Sequence, residues 1–271
     1  MSFNERLIQS CKKNDSEDVN FCLQQGADVN KTSLCKFFED DDDYLEEFTP
    51  LMIASHHGHH KIVKRLLGID GIDILFKDSF GWTALHLCAG SKECLEEFAK
   101  IPLVDLDWNC VNGMGETPLF SAANLNSDCV KFILSQPSVN PNFLNIESET
   151  PILWCLKQMD RDMMEEFKSH LDSLDFPMPM VRVLDFDPMV LDLMKVFKIF
   201  LDCPRIELDS SIAWAREQAA EPESSSWASR WRNEIVKQLS RALESRAVDV
   251  KKRNVGSDNT PEAKRRKKED S

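Results

Sequence analysis

Several motifs that enzymes and membrane proteins use are missing from this 271-residue sequence. No run of about 18 apolar residues occurs, so we expect no membrane-spanning helix. The first residues, MSFNERLIQSCKKND, carry charges where a signal peptide has an apolar stretch, and we therefore expect an intracellular protein. The motifs GxGxxG, Walker A, GxSxG and HExxH are also missing, so we expect neither catalytic activity nor a bound cofactor.

Tyrosine and glycine are scarce, with one and nine copies respectively. The remainder is rich in leucine, glutamate and lysine, and these residues favour helices over strands. None of the nine cysteines forms a CxxC pair. Without a secretory signal, we expect reduced and buried thiols rather than disulfides. With 42% apolar residues, the chain can form a substantial core, and we predict an all-α fold.

Charge is distributed unevenly between the body of the chain and its last residues. The whole chain carries a net charge of −13, whereas residues 251–271 carry +4 and the rest therefore −17. An acidic body repels phosphate backbones and favours basic partners. Binding of nucleic acid through the basic tail remains an alternative of another functional class, and it would be lost on deletion of residues 251–271.

A motif that begins with threonine recurs along the middle of the chain at spacings of 34, 34 and 33 residues. Its copies are Thr49-Pro50-Leu51, Thr83-Ala84-Leu85, Thr117-Pro118-Leu119 and Thr150-Pro151-Ile152. Threonine caps helices with its hydroxyl, and proline suits the first helical position. A second set of similar segments follows in register at 67–74, 99–106 and 134–141.

The stretch from Thr49 to Leu67 preserves the unit best. It predicts a short helix after Thr49, a break at Gly58 and a second helix with an apolar face. Two registered signals in each period indicate a repeating helical hairpin. This unit resembles the ankyrin repeat, which consists of about 33 residues with a β-turn, two helices and a T-P-L-H-x-A signature.

The resemblance covers roughly residues 3–209, and three weaker copies extend it. Residues 7–30 end in Gly-Ala-Asp-Val-Asn, typical of an N-terminal capping repeat. Residues 163–176 stand where the second helix of the Thr150 repeat belongs, and residues 196–209 match the end of a sixth repeat. Since Leu184-Asp185-Phe186 occupy the TPL position there, we expect its first helix to begin at Asp187-Pro188.

The resemblance therefore implies an all-α solenoid of about six repeats with β-turn fingers. We predict a capping repeat at 1–30, an acidic insertion loop at 31–48, repeats two to six at 49–209, a helical extension at 210–248 and a disordered basic tail at 249–271. The insertion contains seven acids in the nine residues 39–47. The extension should form two helices, 211–220 and 225–246, the second with an apolar stripe through Trp227, Trp231, Ile235 and Leu239 that covers the end of the stack.

The histidines at 56, 57, 59 and 60 are a possible metal-binding cluster by composition. His56 and His60 have the i, i+4 spacing, but Gly58 interrupts the helix that this spacing needs. We therefore expect no metal site. The resemblance assigns Gly58-His59 to the turn between helices and leaves His56 and His57 as candidate partner contacts.

The resemblance also implies that a partner protein binds along the fingers and the ends of the first helices, which line one concave surface. The finger positions are Leu45, Phe48, Ser79, Phe80, Trp82, Gly113, Met114, Glu116, Ile146, Glu147 and Glu149. The helix-end positions are His56, His57, Ser91, Asn124, Leu125, Lys157 and Gln158. Large apolar residues at finger positions mark an interface if they are exposed, or local packing if they fold under a neighbouring finger; they are Phe48, Phe80, Trp82, Met114 and Ile146. Acids flank them, so we expect a partner with an apolar centre and a basic rim.

The basic tail resembles a bipartite nuclear localisation signal. Its two clusters, separated by residues 253–263, are Lys251-Lys252 and Lys264-Arg265-Arg266-Lys267-Lys268. An import receptor would bind both clusters of an extended segment in acidic grooves. We therefore expect a nuclear protein with an additional cytoplasmic pool. Phosphorylation at Thr260-Pro261 would weaken import by adding negative charge beside the second cluster.

Together these features predict a monomeric, non-catalytic adaptor or regulator that binds another protein. Two narrower alternatives are an inhibitor of a Rel-type transcription factor and a substrate adaptor of a ubiquitin ligase. Against the first, no DSGxxS motif occurs; against the second, residues 225–246 match no cullin-recruiting box. An enzyme with an accessory repeat stack is disfavoured, because about 60 residues outside the repeats are too few for a catalytic domain.

Overall fold

A computed structural model describes residues 2–36, 45–102, 106–172, 188–220 and 226–257. Side-chain environments are described in these ranges except at 35–36, 45, 162–172, 188–193, 226–231 and 248–257. The chain divides into two units, residues 1–199 and residues 200–271, which are treated separately below.

The first unit is built from pairs of short helices. These are α1 (Phe3–Lys12) with α2 (Ser16–Gln24), α3 (Pro50–His56) with α4 (His60–Leu67), α5 (Ala84–Leu87) with α6 (Lys92–Phe98), and α7 (Pro118–Leu125) with α8 (Ser127–Ser135). A 3₁₀ turn, Cys88–Gly90, extends α5. Helices α1, α3, α5 and α7 pack consecutively in one layer, and α4, α6 and α8 pack consecutively in a second. This arrangement confirms the predicted helical repeat solenoid.

The threonine hydroxyl of the recurring motif caps the first helix at Thr49 and Thr150, as predicted, whereas the Thr117 hydroxyl makes no such hydrogen bond. The Thr49 hydroxyl accepts a hydrogen bond of 3.2 Å from the Met52 amide, and Pro50 occupies the first turn. Thr150 uses its hydroxyl in the same way toward the Leu153 amide, at 3.3 Å. Each cap satisfies a backbone donor that has no partner within the helix.

Two positions of the first helices recur in the core at the repeat spacing. One holds a branched apolar side chain and the other a small one; their members, all at most 1% exposed, are Leu51, Leu85, Leu119 and Ile152, and Ala54, Cys88, Ala122 and Cys155. Small side chains let neighbouring helices of the layer approach closely. The eight cysteines with described side chains are free thiols, and six of these are buried.

Gly58 forms the predicted turn between α3 and α4, with a positive φ of 69°. The ring of the adjacent His59 reaches into the preceding repeat, where its Nε2 lies 3.2 Å from the carbonyl oxygen of Lys12. The histidine therefore connects two repeats as well as following the turn.

The insertion is not wholly a loop, which corrects the prediction for residues 31–48. Strands β1 (Ser33–Lys36) and β2 (Leu45–Phe48) pair antiparallel, with Ser33 opposite Phe48 and Lys36 opposite Leu45. The acidic residues 39–43 fall in the connection 37–44, outside the described residues. Of the eight strand residues only Phe48 is of a type that favours strands, so contacts such as that between β2 and α3, rather than local propensity, stabilise the hairpin.

The Thr150 repeat also differs from its prediction. Instead of two helices, one continuous helix, α9 (Pro151–Asp172), runs through the expected turn. Residues 157–162 contain neither glycine nor proline, and they lack the turn-forming Gly58 or helix-capping Asn126 of other repeats. Helix α10 (Pro188–Asp202) begins at the predicted Pro188 and continues through the segment assigned to a second helix, so this region contains one helix; residues 184–186 lie outside the described residues.

In the second unit, α11 (Asp209–Ala219) packs against α12 (Ser226–Ser257). Ile235 and Leu239 of the predicted stripe are buried, while the side chains of Trp227 and Trp231 are outside the described set. Helix α12 continues to Ser257, so disorder does not begin at residue 249 as predicted, because no glycine or proline interrupts 226–255. Within the described residues, no helix is both long and apolar enough to span a membrane.

Candidate functional site

Three fingers precede the first helices of successive repeats, and two of them share one hydrogen-bond scheme. The Asn112 Oδ1 atom accepts from the amides of Met114 and Glu116, both at 2.9 Å. Asn145 accepts in the same way from Glu147 at 3.0 Å and Glu149 at 2.9 Å. The side-chain oxygen closes each turn, as asparagine does in an Asx-turn.

The first of the three fingers uses Asp78 in place of asparagine. Its Oδ1 accepts from the Phe80 amide at 3.0 Å and the Trp82 amide at 2.8 Å. The backbone geometry is therefore preserved, but a carboxylate replaces an amide. Burial is the main cause that raises the pKa of Asp78, and the nearby Glu46 carboxylate adds to it.

Neighbouring fingers are joined through their backbones. The Gly113 amide donates to the Phe80 carbonyl oxygen at 2.6 Å, and the Ile146 amide donates to that of Met114 at 2.9 Å. A Cβ atom at Gly113 would lie 2.8 Å from the Phe80 oxygen, so this approach needs glycine. The three fingers therefore form one continuous ledge.

Three large apolar side chains stand exposed on this ledge: Phe80 at 40%, Met114 at 50% and Ile146 at 68% exposure. We call this set the apolar row. Phe80 and Met114 occupy equivalent finger positions, and Ile146 lies one position earlier in its own finger but adjoins Met114 through the backbone hydrogen bond. Exposed apolar side chains in a row are typical of an interaction surface. Their role as partner contacts stays a prediction.

Two predicted contact residues are buried instead, and the prediction was wrong for both. Phe48 ends β2 and is 2% exposed, because the strand packs against α3 and turns the ring into the core. Glu149 is buried, where its carboxylate accepts from the Asn145 side chain at 3.2 Å and pairs with Lys157.

Trp82 and Glu116 occupy an intermediate position, each half-buried at the end of its finger. The Trp82 ring meets the His86 ring edge-on, with 5.7 Å between centroids. The Glu116 carboxylate accepts from the Asn112 side chain at 3.0 Å. Both side chains support the fingers, so substitution of either would disturb the fold as well as any interface.

The predicted helix-end residues lie along the first-helix layer. His56, His57, Asn124 and Leu125 are exposed, and Ser79 is exposed on its finger. The His56 and His57 rings meet edge-on at 5.1 Å. Partial desolvation lowers the pKa of His56 even though its side chain remains accessible. Ser91 is instead the N-cap of α6, and Gln158 is half-buried.

The structure also adds Asp78 to the site, a residue that the sequence analysis did not nominate. The signal was present as an aspartate aligned with Asn112 and Asn145 at the repeat spacing. Its significance depends on burial, because only the tertiary structure shows that one carboxylate oxygen, Oδ2, is enclosed without a hydrogen-bond partner.

Burial makes two of the cysteines in the described part chemically inert. Burial raises the pKa of the Cys88 and Cys155 thiols, which disfavours the nucleophilic thiolate. No group of three or more potential ligands among the described residues could hold a metal ion.

The structure describes only the first cluster of the predicted import signal. Lys251 and Lys252 lie in α12, whereas Lys264, Arg265, Arg266, Lys267 and Lys268 lie outside the described residues.

Comparison with known proteins identifies the repeat. Residues 7–105 match the family model for ankyrin repeats, in three copies. An ankyrin repeat protein of fowlpox virus is 27% identical over 179 residues, which cover 64% of this chain and 49% of the viral protein. A Plasmodium falciparum protein named as an E3 ubiquitin-protein ligase is 34% identical over 80 residues, 30% of this chain and 1% of that protein.

The chain thus spans about half of the viral relative and a very small part of the second. Ankyrin repeats generally mediate protein–protein interaction. The family model, the viral relative and the two-layer helical stack with its β-turn fingers agree that this chain contains ankyrin repeats.

Proposed function

We propose that this protein is a non-catalytic adaptor or regulator that binds another protein through its fingers and the adjacent ends of α3 and α7. The apolar row carries the proposal. The backbone hydrogen bonds hold Phe80, Met114 and Ile146 on one rigid ledge, so little conformational entropy is lost on binding.

Charge around the row defines the expected partner. Glu47 and Glu147 are exposed near its two ends, and the body of the chain is strongly acidic. A partner with an apolar centre and a basic rim complements this surface, and its association is faster at low ionic strength.

The double variant Phe80→Ser/Met114→Ser tests this surface. Affinity capture from cell extract with the wild-type chain identifies partners, and the Kd of a purified partner is then measured for each variant. Each substitution should cost about 2 kcal/mol of binding energy. The matched control is Leu75→Ser/Leu243→Ser, which removes two exposed apolar side chains elsewhere. Equal loss in both variants, or none in the first, would place the interface elsewhere.

Nuclear localisation remains part of the proposal and is supported by the two basic clusters. Because Lys251 and Lys252 lie in a helix, an extended bipartite signal requires the end of α12 to unwind on the import receptor. Replacing Lys264–Lys268 with glutamine should abolish nuclear accumulation of a fluorescent fusion, and replacing Lys251-Lys252 should reduce it. Unchanged distribution in both variants contradicts the import signal.

The name of the Plasmodium relative bears on the ubiquitin-ligase alternative. The match covers 80 residues and 1% of that protein, so it supports shared repeats rather than shared ligase activity. We therefore keep the general adaptor role as the proposal.

A further inference from the structure

The Asp78 finger differs from its neighbours in one chemically important respect. In the other two fingers, the asparagine Nδ2 donates to a carboxylate: Asn112 to Glu116 at 3.0 Å and Asn145 to Glu149 at 3.2 Å. These contacts close each finger on itself. The amide that would make the equivalent contact is missing at Asp78.

The second oxygen of Asp78 consequently has no partner. Trp82 stands where the other fingers carry glutamate, and the Asp78 Oδ2 atom is buried without a hydrogen bond. The side chain is 7% exposed. A buried, unpaired carboxylate oxygen destabilises the folded state, so we expect the carboxylate to contribute to binding instead.

Asp78 lines a pocket of about 260 Å³ between its finger and the hairpin of the insertion. Glu46 and Glu47 of β2 also line it. Glu46 is buried and accepts a hydrogen bond of 2.6 Å from the Ser79 hydroxyl. Three carboxylates therefore surround one small space.

The lysine that lines this pocket donates its hydrogen bond outside the pocket. The Lys77 Nζ atom donates to the Val111 carbonyl oxygen at 2.8 Å, toward the next repeat. The hydrogen bonds described for Asp78 and Glu46 include no cationic donor. The pocket consequently combines excess negative charge with an enclosed carboxylate.

We propose that this pocket receives the guanidinium of an arginine on the partner protein. The inference rests on the proposed function, since the apolar row would bind the same partner. A guanidinium is planar, carries several donors and is weakly hydrated, which suits it to a partly enclosed carboxylate site better than an ammonium.

The apolar walls of the pocket and the negative charge around it are also compatible with an arginine side chain. Leu34 and Phe76 line the pocket and would contact the aliphatic part of the arginine side chain. The eight residues that connect β1 and β2 contain five acids, which would increase the rate of encounter with a basic segment. Asp78 acts on the cation chiefly through its charge, and the more accessible Glu47 provides direct contact.

The test is a titration of the full-length ¹⁵N-labelled chain with N-acetyl-arginine amide, followed by amide chemical shifts. We expect saturable shifts confined to residues 46–47 and 76–79. The neutral isostere N-acetyl-citrulline amide should cause none. Equal shifts with both probes would overturn the proposal.

Asp78→Asn is the decisive variant, because Asn112 and Asn145 show that asparagine forms the same finger. It should weaken arginine-probe binding about tenfold or more while the melting temperature rises. The control Asp70→Asn removes the same charge from an exposed position that does not line the pocket. Unchanged affinity in Asp78→Asn, or equal loss in both variants, would overturn the assignment.

Two further arms separate the possible causes of failure. A purified partner that binds Asp78→Asn normally but fails to bind Phe80→Ser/Met114→Ser overturns the pocket and leaves the proposed function standing. Glutamine substitution of Lys264–Lys268 should leave probe affinity unchanged. Tighter probe binding in that variant would mean that the chain's own tail fills the pocket, which overturns the partner assignment.

Discussion

His86 Nε2 lies 3.0 Å from the backbone carbonyl oxygen of Glu116 and donates a hydrogen bond to it. At the other side of the ring, Nδ1 faces the amide and hydroxyl of Thr83, at 3.3 and 2.8 Å. The ring therefore joins the start of α5 to the finger of the next repeat. With Nε2 protonated and Nδ1 accepting, the imidazole is neutral, and burial lowers its pKa to about 4.

This neutral, buried histidine predicts acid sensitivity. The unfolded chain takes up the proton near the ordinary histidine pKa of about 6.5, whereas the folded chain resists protonation until about pH 4. The stabilisation is complete above pH 6.5 and is lost as pH falls toward 4. Between pH 7 and pH 5 the loss should reach about 2 kcal/mol.

Urea unfolding of the wild type and His86→Gln at several pH values measures this contribution. Other carboxylates titrate in both proteins, so the difference between the two free energies isolates His86. That difference should shrink as pH falls. A constant difference would contradict the pKa shift.

Thr117 offers a stabilising substitution. Its hydroxyl is buried without a hydrogen bond, because Phe120 stands where His86 partners Thr83 in the preceding repeat. Thr117→Val should therefore stabilise the chain by up to about 1 kcal/mol. The same change at Thr49, whose hydroxyl caps α3, should cost about 1 kcal/mol. Thermal unfolding of both variants measures these effects. A lower melting temperature for Thr117→Val would mean that the Thr117 hydroxyl has a hydrogen-bond partner.

Gly81 is required by both conformation and space. Its φ is 79°, and an added Cβ would lie 2.9 Å from the Gly113 amide nitrogen. Gly81→Ala should cost about 2 to 4 kcal/mol, since backbone strain and a close contact add. Gly71 has a similar φ of 80° but open space around it, so Gly71→Ala should cost only about 1 kcal/mol. Equal losses in chemical denaturation would exclude the finger contact as the cause.

Arg246 stabilises the end of α10 within the second unit. Its guanidinium donates to the carbonyl oxygens of Leu201 and Cys203, both at 2.8 Å, and to that of Ile206. Carbonyls at a helix C-terminus carry partial negative charge and favour a cation. Arg246→Gln should therefore speed amide hydrogen exchange in residues 200–208 about tenfold or more.

Exchange measured by mass spectrometry checks this effect on the full-length chain. Arg241→Gln is the control, because Arg241 lies exposed on the same helix. Equal exchange in Arg246→Gln and wild type would show that these contacts do not hold the segment closed.

Much of the fold was accessible from local sequence patterns. The recurrence of Thr49, Thr83, Thr117 and Thr150 located the starts of the first helices, and the Gly58 turn was anticipated correctly, because helix starts and turns depend on neighbouring residues. Predictions failed where no glycine or proline marked the end of a helix and where strand pairing depended on tertiary contacts. Helix α9 runs on without interruption, and β1 and β2 replace part of the expected loop.

The sequence by itself determined the repeat period, the starts of the first helices, the all-α class and the apolar side chains of the row, since these follow from the spacing and type of residues within one unit. Only the tertiary structure decided which finger residues face outward. Phe48 is buried and Phe80 is exposed, because packing between neighbouring elements, not residue type, sets exposure. The burial of Asp78 Oδ2 likewise depends on the tertiary structure. The hairpin of β1 and β2 lies beside the Asp78 finger, and no local sequence pattern specifies that contact.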